Sequence, residues 1–78
     1  MVKELLEYMV KELVDNPEEV QITEEEEDEK TIIFKLQVAE DDLGKVIGKK
    51  GRTANALRVI MRAASAKRGK SSIVKILD

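Results

Sequence analysis

An α+β fold with segment order α-β-β-α-α-β is predicted by three features of the chain. Apolar residues recur at helical spacing from Val2 to Val14 and again from Ala54 to Ala64. They alternate at strand spacing from Thr31 to Val38. Asn16-Pro17 and two close glycines, Gly48 and Gly51, punctuate the pattern. At 78 residues the chain is expected to form one domain spanning 1–78.

The first helix carries an apolar stripe of Val2, Leu5, Leu6, Met9, Val10, Leu13 and Val14. Asp15-Asn16-Pro17 stops it, because proline disfavours helical geometry in the residue before it. Val20 and Ile22 alternate with polar residues and predict a short strand. The like-charged run 24–29 is expected to be a solvated, mobile loop. In the next strand Ile32, Phe34, Leu36 and Val38 share one face, and Thr31, Ile33, Lys35 and Gln37 the other. Glu40 or Asp41 is expected to cap a very short helix that ends at Gly48. Ala54, Leu57, Ile60, Met61 and Ala64 predict a long helix running to Lys67 or Arg68, with Gly69 as a left-handed C-terminal cap. Ile73 and Leu77, with Val74 and Ile76, make a final strand.

The first two strands should pair as an antiparallel hairpin. The β-α-α-β crossover should set the second and third strands parallel. The expected product is a three-stranded mixed sheet with helices packed on one face.

Composition narrows the function. With no cysteine and no histidine, the chain has no disulfide, no Cys- or His-based zinc site and no histidine general base. No apolar run approaches the roughly 20 residues of a membrane span, and no signal-peptide pattern precedes the first helix. A cytoplasmic protein without cofactor, metal or catalytic residues is expected. The net charge of −2 conceals two poles. Residues 1–42 hold 4 basic and 15 acidic side chains, whereas residues 43–77 hold 10 basic and no acidic ones. A polyanion responds to the local field over a Debye length of about 8 Å, so the basic half can attract nucleic acid despite the overall sign.

Gly48-Lys49-Lys50-Gly51 joins the two later helices. Glycine at each end permits positive φ and close approach of another chain. The loop amides, together with the start of the following helix, make a partly positive concavity. Lys49 and Lys50 add full charges at its tip. This arrangement suits a phosphodiester backbone and carries no base selectivity by itself. A plain helical turn is the competing reading. The preceding strand and short helix, the long helix beyond and the acid-free surroundings favour the phosphate site.

Val46-Ile47-Gly48-Lys49-Lys50-Gly51-Arg52-Thr53 resembles the V-I-G-x-x-G signature of KH domains. The segment order is similar to the type II KH fold, with residues 1–29 as an N-terminal α-β extension bearing the acidic loop and 30–78 as the β-α-α-β core. Over its whole length the chain resembles the small bacterial single-KH proteins of the KhpA (YlqC) family. It departs from the general KH pattern at Ala54, where isoleucine is common. The resemblance implies a non-catalytic RNA-binding protein, a post-transcriptional regulator or RNA chaperone, whose GxxG loop clamps about four nucleotides of single strand. Gly48, Lys49, Lys50 and Gly51 would hold the backbone, flanked by Lys45, Arg52 and Thr53. Val46, Ile47, Ala54, Leu57 and Val38 would line an apolar base groove, with core packing the preferred role for Leu57 and Val38. Arg58 and Arg62 either extend the basic track or are solvated surface.

The resemblance also implies self-pairing, or pairing with a Jag-type KH protein. An interaction module whose partner makes most RNA contacts is therefore the alternative reading. Ile73 to Leu77 or the helix 53–68 would supply its surface. Single-stranded DNA stays open as a ligand, since a phosphate clamp has no need of a 2′-hydroxyl. A P-loop NTPase is disfavoured, because the G-x-x-x-x-G-K-[ST] spacing is not met. Only Tyr8 and Phe34 are aromatic, so little stacking is expected and affinity should be modest and salt-dependent.

Overall fold

The computed structural model describes residues 2–77. The first apolar stripe forms α1 (Val2–Leu13), and a 3-10 turn at Pro17–Glu19 leads into β1 (Gln21–Glu26) and β2 (Thr31–Gln37). A second 3-10 turn at Glu40–Asp42 precedes the short helix α2 (Leu43–Ile47). The Lys49–Gly51 turn then opens α3 (Arg52–Ala66), and β3 (Ser71–Ile76) ends the fold. β2 is central. It pairs antiparallel with β1, Ile22 opposite Leu36, and parallel with β3, Phe34 opposite Val74. The chain has the predicted α+β architecture, in the type II KH order.

Strand alternation decides which residues enter the core. Ile22, Phe34, Leu36 and Val74 share the covered face of the sheet and meet Leu6 and Val10 of α1 and Leu57 and Met61 of α3. Full burial of one such side chain stabilises the fold by about 1.5–3 kcal/mol. α3 ends as predicted at Gly69, whose φ of +73° lets Lys70 N–H reach the Ser65 carbonyl (3.0 Å) and Gly69 N–H the Ala66 carbonyl (2.9 Å).

The helical stripes are narrower than the sequence suggests. Leu5, Leu13 and Ile60 follow helical spacing yet remain more than a third exposed, because a three-stranded sheet is covered along one line of each helix. α3 turns Ala54, Leu57, Met61 and Ser65 inward and leaves Val59 and Ile60 outside. In β3 the pairing with β2 puts Val74 on the same face as Phe34, and Ile73 and Leu77 are left exposed.

The acidic run is not the mobile loop that its charge predicts. Glu24, Glu25 and Glu26 lie in β1, opposite Phe34, Ile33 and Ile32. A neighbouring strand supplies backbone partners that a charge pattern cannot reveal, and Lys35 pairs with Glu25 at 2.6 Å. All three glutamates reach solvent, and charge on an edge strand discourages further strand addition. The hairpin closes through Asp28, whose carboxylate accepts the N–H groups of Lys30 (2.8 Å) and Thr31 (2.9 Å). The Lys30 bond is the main cause that holds its carboxyl below the ordinary value.

Adjacent residues on α3 should therefore respond differently to truncation. Met61→Ala should cost about 2–5 kcal/mol and Ile60→Ala no more than about 0.5, read from urea unfolding of each variant.

Candidate nucleic-acid interface

A five-residue helix cannot hold itself together in water, because nucleation costs more than one turn returns. α2 is fixed instead by Asp42, whose side chain is fully enclosed. Its carboxylate accepts the N–H of Asp15 (3.1 Å), the N–H of Asn16 (2.9 Å) and the Asn16 side-chain amide (3.0 Å). The end of α1 is thereby tied to the start of α2. No side chain caps either the Glu40–Asp42 turn or α2, so the capping role expected of Glu40 or Asp41 is replaced by this tertiary clasp. Burial pushes the Asp42 pKa up, but the three donors and the nearby Lys45 outweigh it and hold the carboxyl below its ordinary value.

Lys45 belongs to the same clasp. Its ammonium lies 2.6 Å from Asp15 Oδ2 and 3.6 Å from Asp42 Oδ1, and the Asp15 hydrogen bond raises its pKa. The sequence groups Lys45 with the loop cations. The fold commits it to the α1–α2 junction, since Asp15, thirty residues earlier in the chain, and Asp42, one helical turn before it, both lie against its ammonium.

Gly48 ends α2 with φ of +77° and donates its N–H to the Gly44 carbonyl at 2.9 Å. Lys50 and Gly51 follow in the left-handed region, at φ of +59° and +75°. For Lys50 this conformation costs about 1–2 kcal/mol, and such strain gathers at functional loops. The two glycines differ in their surroundings. A side chain at 48 would collide with Thr53, whereas one at 51 would meet open space. Thr53, grouped with the loop in the sequence, thus braces it from within. Gly51 N–H returns to the Gly48 carbonyl (3.1 Å) and Arg52 N–H to Lys49. The amides of Lys49 and Lys50 have no partner among the described residues, and neither ammonium makes an ion pair there.

Beside the loop lies a depression of about 370 Å³ lined by Leu43, Ile47, Lys50, Gly51, Ala54, Asn55, Arg58 and Ile76. Ile47, Ala54 and Arg58 were legible candidates. Val46 is not part of this wall: it is fully enclosed in the core, as is nearly all of Leu57. Val38 faces a separate depression with Leu77, Glu19 and Glu40, whose carboxylates disfavour phosphate. Leu43, Asn55 and Ile76 escaped the sequence reading. Asn55 stands one helical turn after Gly51, so extending the i, i+3, i+4 pattern from the glycine would have found it. Arg52 and Arg62 are exposed and unpaired among the described residues.

The sheet order turns the two charge poles of the sequence into two sides of the molecule. Acidic β1 forms one edge, and β3, over which α3 packs, forms the other. Among the described residues no helix is long and apolar enough to cross a membrane, and no acidic cluster is arranged to hold a metal ion.

Residues 3–76 match the family described as KhpA/KhpB, KH domain. The RNA-binding protein KhpA of Clostridium acetobutylicum is 49% identical over 75 residues, covering 96% of this chain and 99% of that protein. That of Aquifex aeolicus is 49% identical over 76 residues, 97% of this chain and 95% of the relative. That of Listeria monocytogenes is 43% identical over 76 residues, 97% and 99% respectively. No solved structure matches the chain.

The clasp sets a pH response. A depressed carboxyl stabilises the fold above its unfolded pKa of about 3.9, and that contribution is lost as pH falls through the lower folded value. Lys45 acts at the other end: its contribution is complete below about 10.4 and lost as pH rises through its raised pKa. Urea midpoints at neutral and acidic pH should show a steep acid loss in the wild type. Asp42→Asn should be less stable at neutral pH and show a flatter acid limb.

Proposed function

Because the chain belongs to the KhpA/KhpB KH-domain family, a family of binding proteins and not of enzymes, we propose that it binds RNA through the Gly48–Gly51 loop. The loop itself carries this reading. Lys49 and Lys50 offer amides without internal partners and unpaired ammonium groups, at a turn whose outer glycine leaves room for a close approach. A phosphodiester supplies the missing acceptors, and Arg52 extends the field. Adjoining bases would enter the depression between Ile47, Ala54 and Ile76. The groove is shallow and apolar, which suits single-stranded bases free to turn out of a helix. A single-stranded DNA backbone would satisfy the same amides, and RNA is the ligand that the relatives' names favour.

Stacking contributes little. Phe34 is fully enclosed, and Tyr8 projects from α1 on the acidic side. Binding then rests on charge and backbone contacts. A role as post-transcriptional regulator or RNA chaperone fits such weakly selective capture.

Lys49→Asp combined with Lys50→Asp should abolish binding to a short single-stranded RNA, measured by fluorescence anisotropy, with an unchanged circular dichroism spectrum. Wild-type affinity should fall roughly twentyfold between 50 and 200 mM salt, the slope for about three phosphates on a single strand. Retained affinity in the double variant would remove the loop from the site.

A second reading has its own observation. Val59 and Ile60 are 57% and 42% exposed on the outer side of α3, between Ala56 and Ala63, whose small side chains allow another helix to come close. This face suits a second copy or a Jag-type KH partner, and pairing would join two weak RNA sites through effective concentration. Sedimentation velocity should show that Ile60→Asp dissociates the pair, while the loop double variant stays associated. A wild-type protein that is monomeric at high concentration ends the self-pairing form of this reading.

A further inference from the structure

Two routes lead a strand out of the groove, and they carry opposite charge. The groove meets β3 at Ile76 and the start of α2 at Leu43. One route passes Leu43, which also lines the neighbouring depression with Leu77, Glu19 and Glu40. Both carboxylates are exposed, and so is Asp41, which follows Glu40 in the chain. A phosphodiester leaving on that side meets like charge.

The other route runs back along β3 from Ile76 toward Ser72, beside the flank of α3. The chain returns from α3 to β3 through the turn at Gly69, so helix and strand run in opposite directions. Arg58 fixes their register. Its Nε donates to the Val74 carbonyl at 3.3 Å, and its Nη1 to Asn55 Oδ1 at 3.4 Å. Arg62 follows four residues later, about 6 Å along the helix axis and about 40° around it. It therefore leaves the same flank, toward the Ser72 end of the strand. Arg62 is exposed and makes no ion pair among the described residues. Farther on, Arg68 and Lys70 share a depression with Glu24 and Glu26, whose carboxylates offset their field. The free cationic track is thus bounded: it begins at Lys49 and Lys50, passes Arg58 and stops at Arg62.

We propose that Arg62 binds an RNA phosphate beyond the groove and lengthens the footprint in one direction only, toward the Ser72 end of β3. The inference rests on the RNA-binding reading of the loop. An exposed arginine adds little to a site that a strand can leave on either side. Here Glu19 and Glu40 oppose one exit, and the outgoing strand is steered to the side where Arg62 stands. Arg58 is pinned by its two hydrogen bonds and offers its remaining N–H groups on the way. A phosphate contact positions a strand without reading its bases. Arg62 therefore sets the length and polarity of the bound segment, and not its sequence.

Abasic nucleotides test this, because they carry the phosphate and cannot compete for the base groove. A uridine tetranucleotide would be compared with the same strand extended by three abasic nucleotides at its 5′ end or at its 3′ end. Each would be titrated into the isotope-labelled whole chain by NMR, which reads affinities as weak as millimolar. At 50 mM salt one extension should tighten binding about fivefold and steepen the salt slope by about 0.7, the value for one phosphate on a single strand. The other extension should give no gain. Arg62→Gln, at an exposed position, should abolish the gain and leave the tetranucleotide's affinity within about twofold. Equal gain at both ends, or at neither, with the tetranucleotide still bound, overturns the one-sided track and leaves the loop's role standing. A one-sided gain that survives in Arg62→Gln overturns the assignment to this residue. Should the tetranucleotide bind too weakly to measure, the ratio between the two extended strands decides in the same way. Failure of every strand to bind overturns the loop reading and this one together.

Discussion

One buried carboxylate connects the parts of this molecule. Asp42 accepts three hydrogen bonds from Asp15 and Asn16, and it immediately precedes a helix only five residues long. That helix delivers Gly48 to its place, and Gly48 seats against Thr53 at the start of α3. Remove the clasp, and α2 keeps the Val46 contact and little else to orient it. A buried charge is costly unless its lone pairs are filled, and here the filling groups come from the other end of the sequence. The N-terminal extension is therefore part of the loop's support, and not an appendage to the core.

The second organising feature is electrostatic. A chain that is acidic to residue 42 and basic beyond it could fold with its poles interleaved. The sheet order prevents that, since β2 stands between β1 and β3. Among the described residues Lys49, Lys50 and Arg52 make no ion pair, and their field is available to a ligand. Lys45 is the exception, held at the junction between the poles. Within the basic side the two glycines divide the labour. Gly48 needs its missing side chain for internal packing, and Gly51 needs its left-handed backbone, with nothing outside to block an approaching strand.

Much of this was legible beforehand. Segment order, strand pairing, the left-handed cap at Gly69 and the position of the loop all follow from local rules, because periodicity and glycine conformation are short-range properties. The acidic strand was not legible: six charges in a row read as solvated, and only β2 beside them shows that the first three are paired backbone. Val46 likewise sits within a signature that suggests a groove wall, while the packing of α2 on the core turns it inward.

By itself the sequence determined that the chain forms an α+β domain, that its second half can attract a polyanion, and that two glycines open a turn between helices. Each of these depends on neighbours within a few residues. Tertiary structure alone decided that Asp42 clasps Asp15 and Asn16, that Lys45 is spent on that clasp, that Asn55, Leu43 and Ile76 complete the groove, and that Arg58 covers the Val74 carbonyl. Those outcomes join residues 16 to 33 positions apart. No local pattern encodes them, because the contacts come into being only when the sheet and its covering helices bring distant segments together.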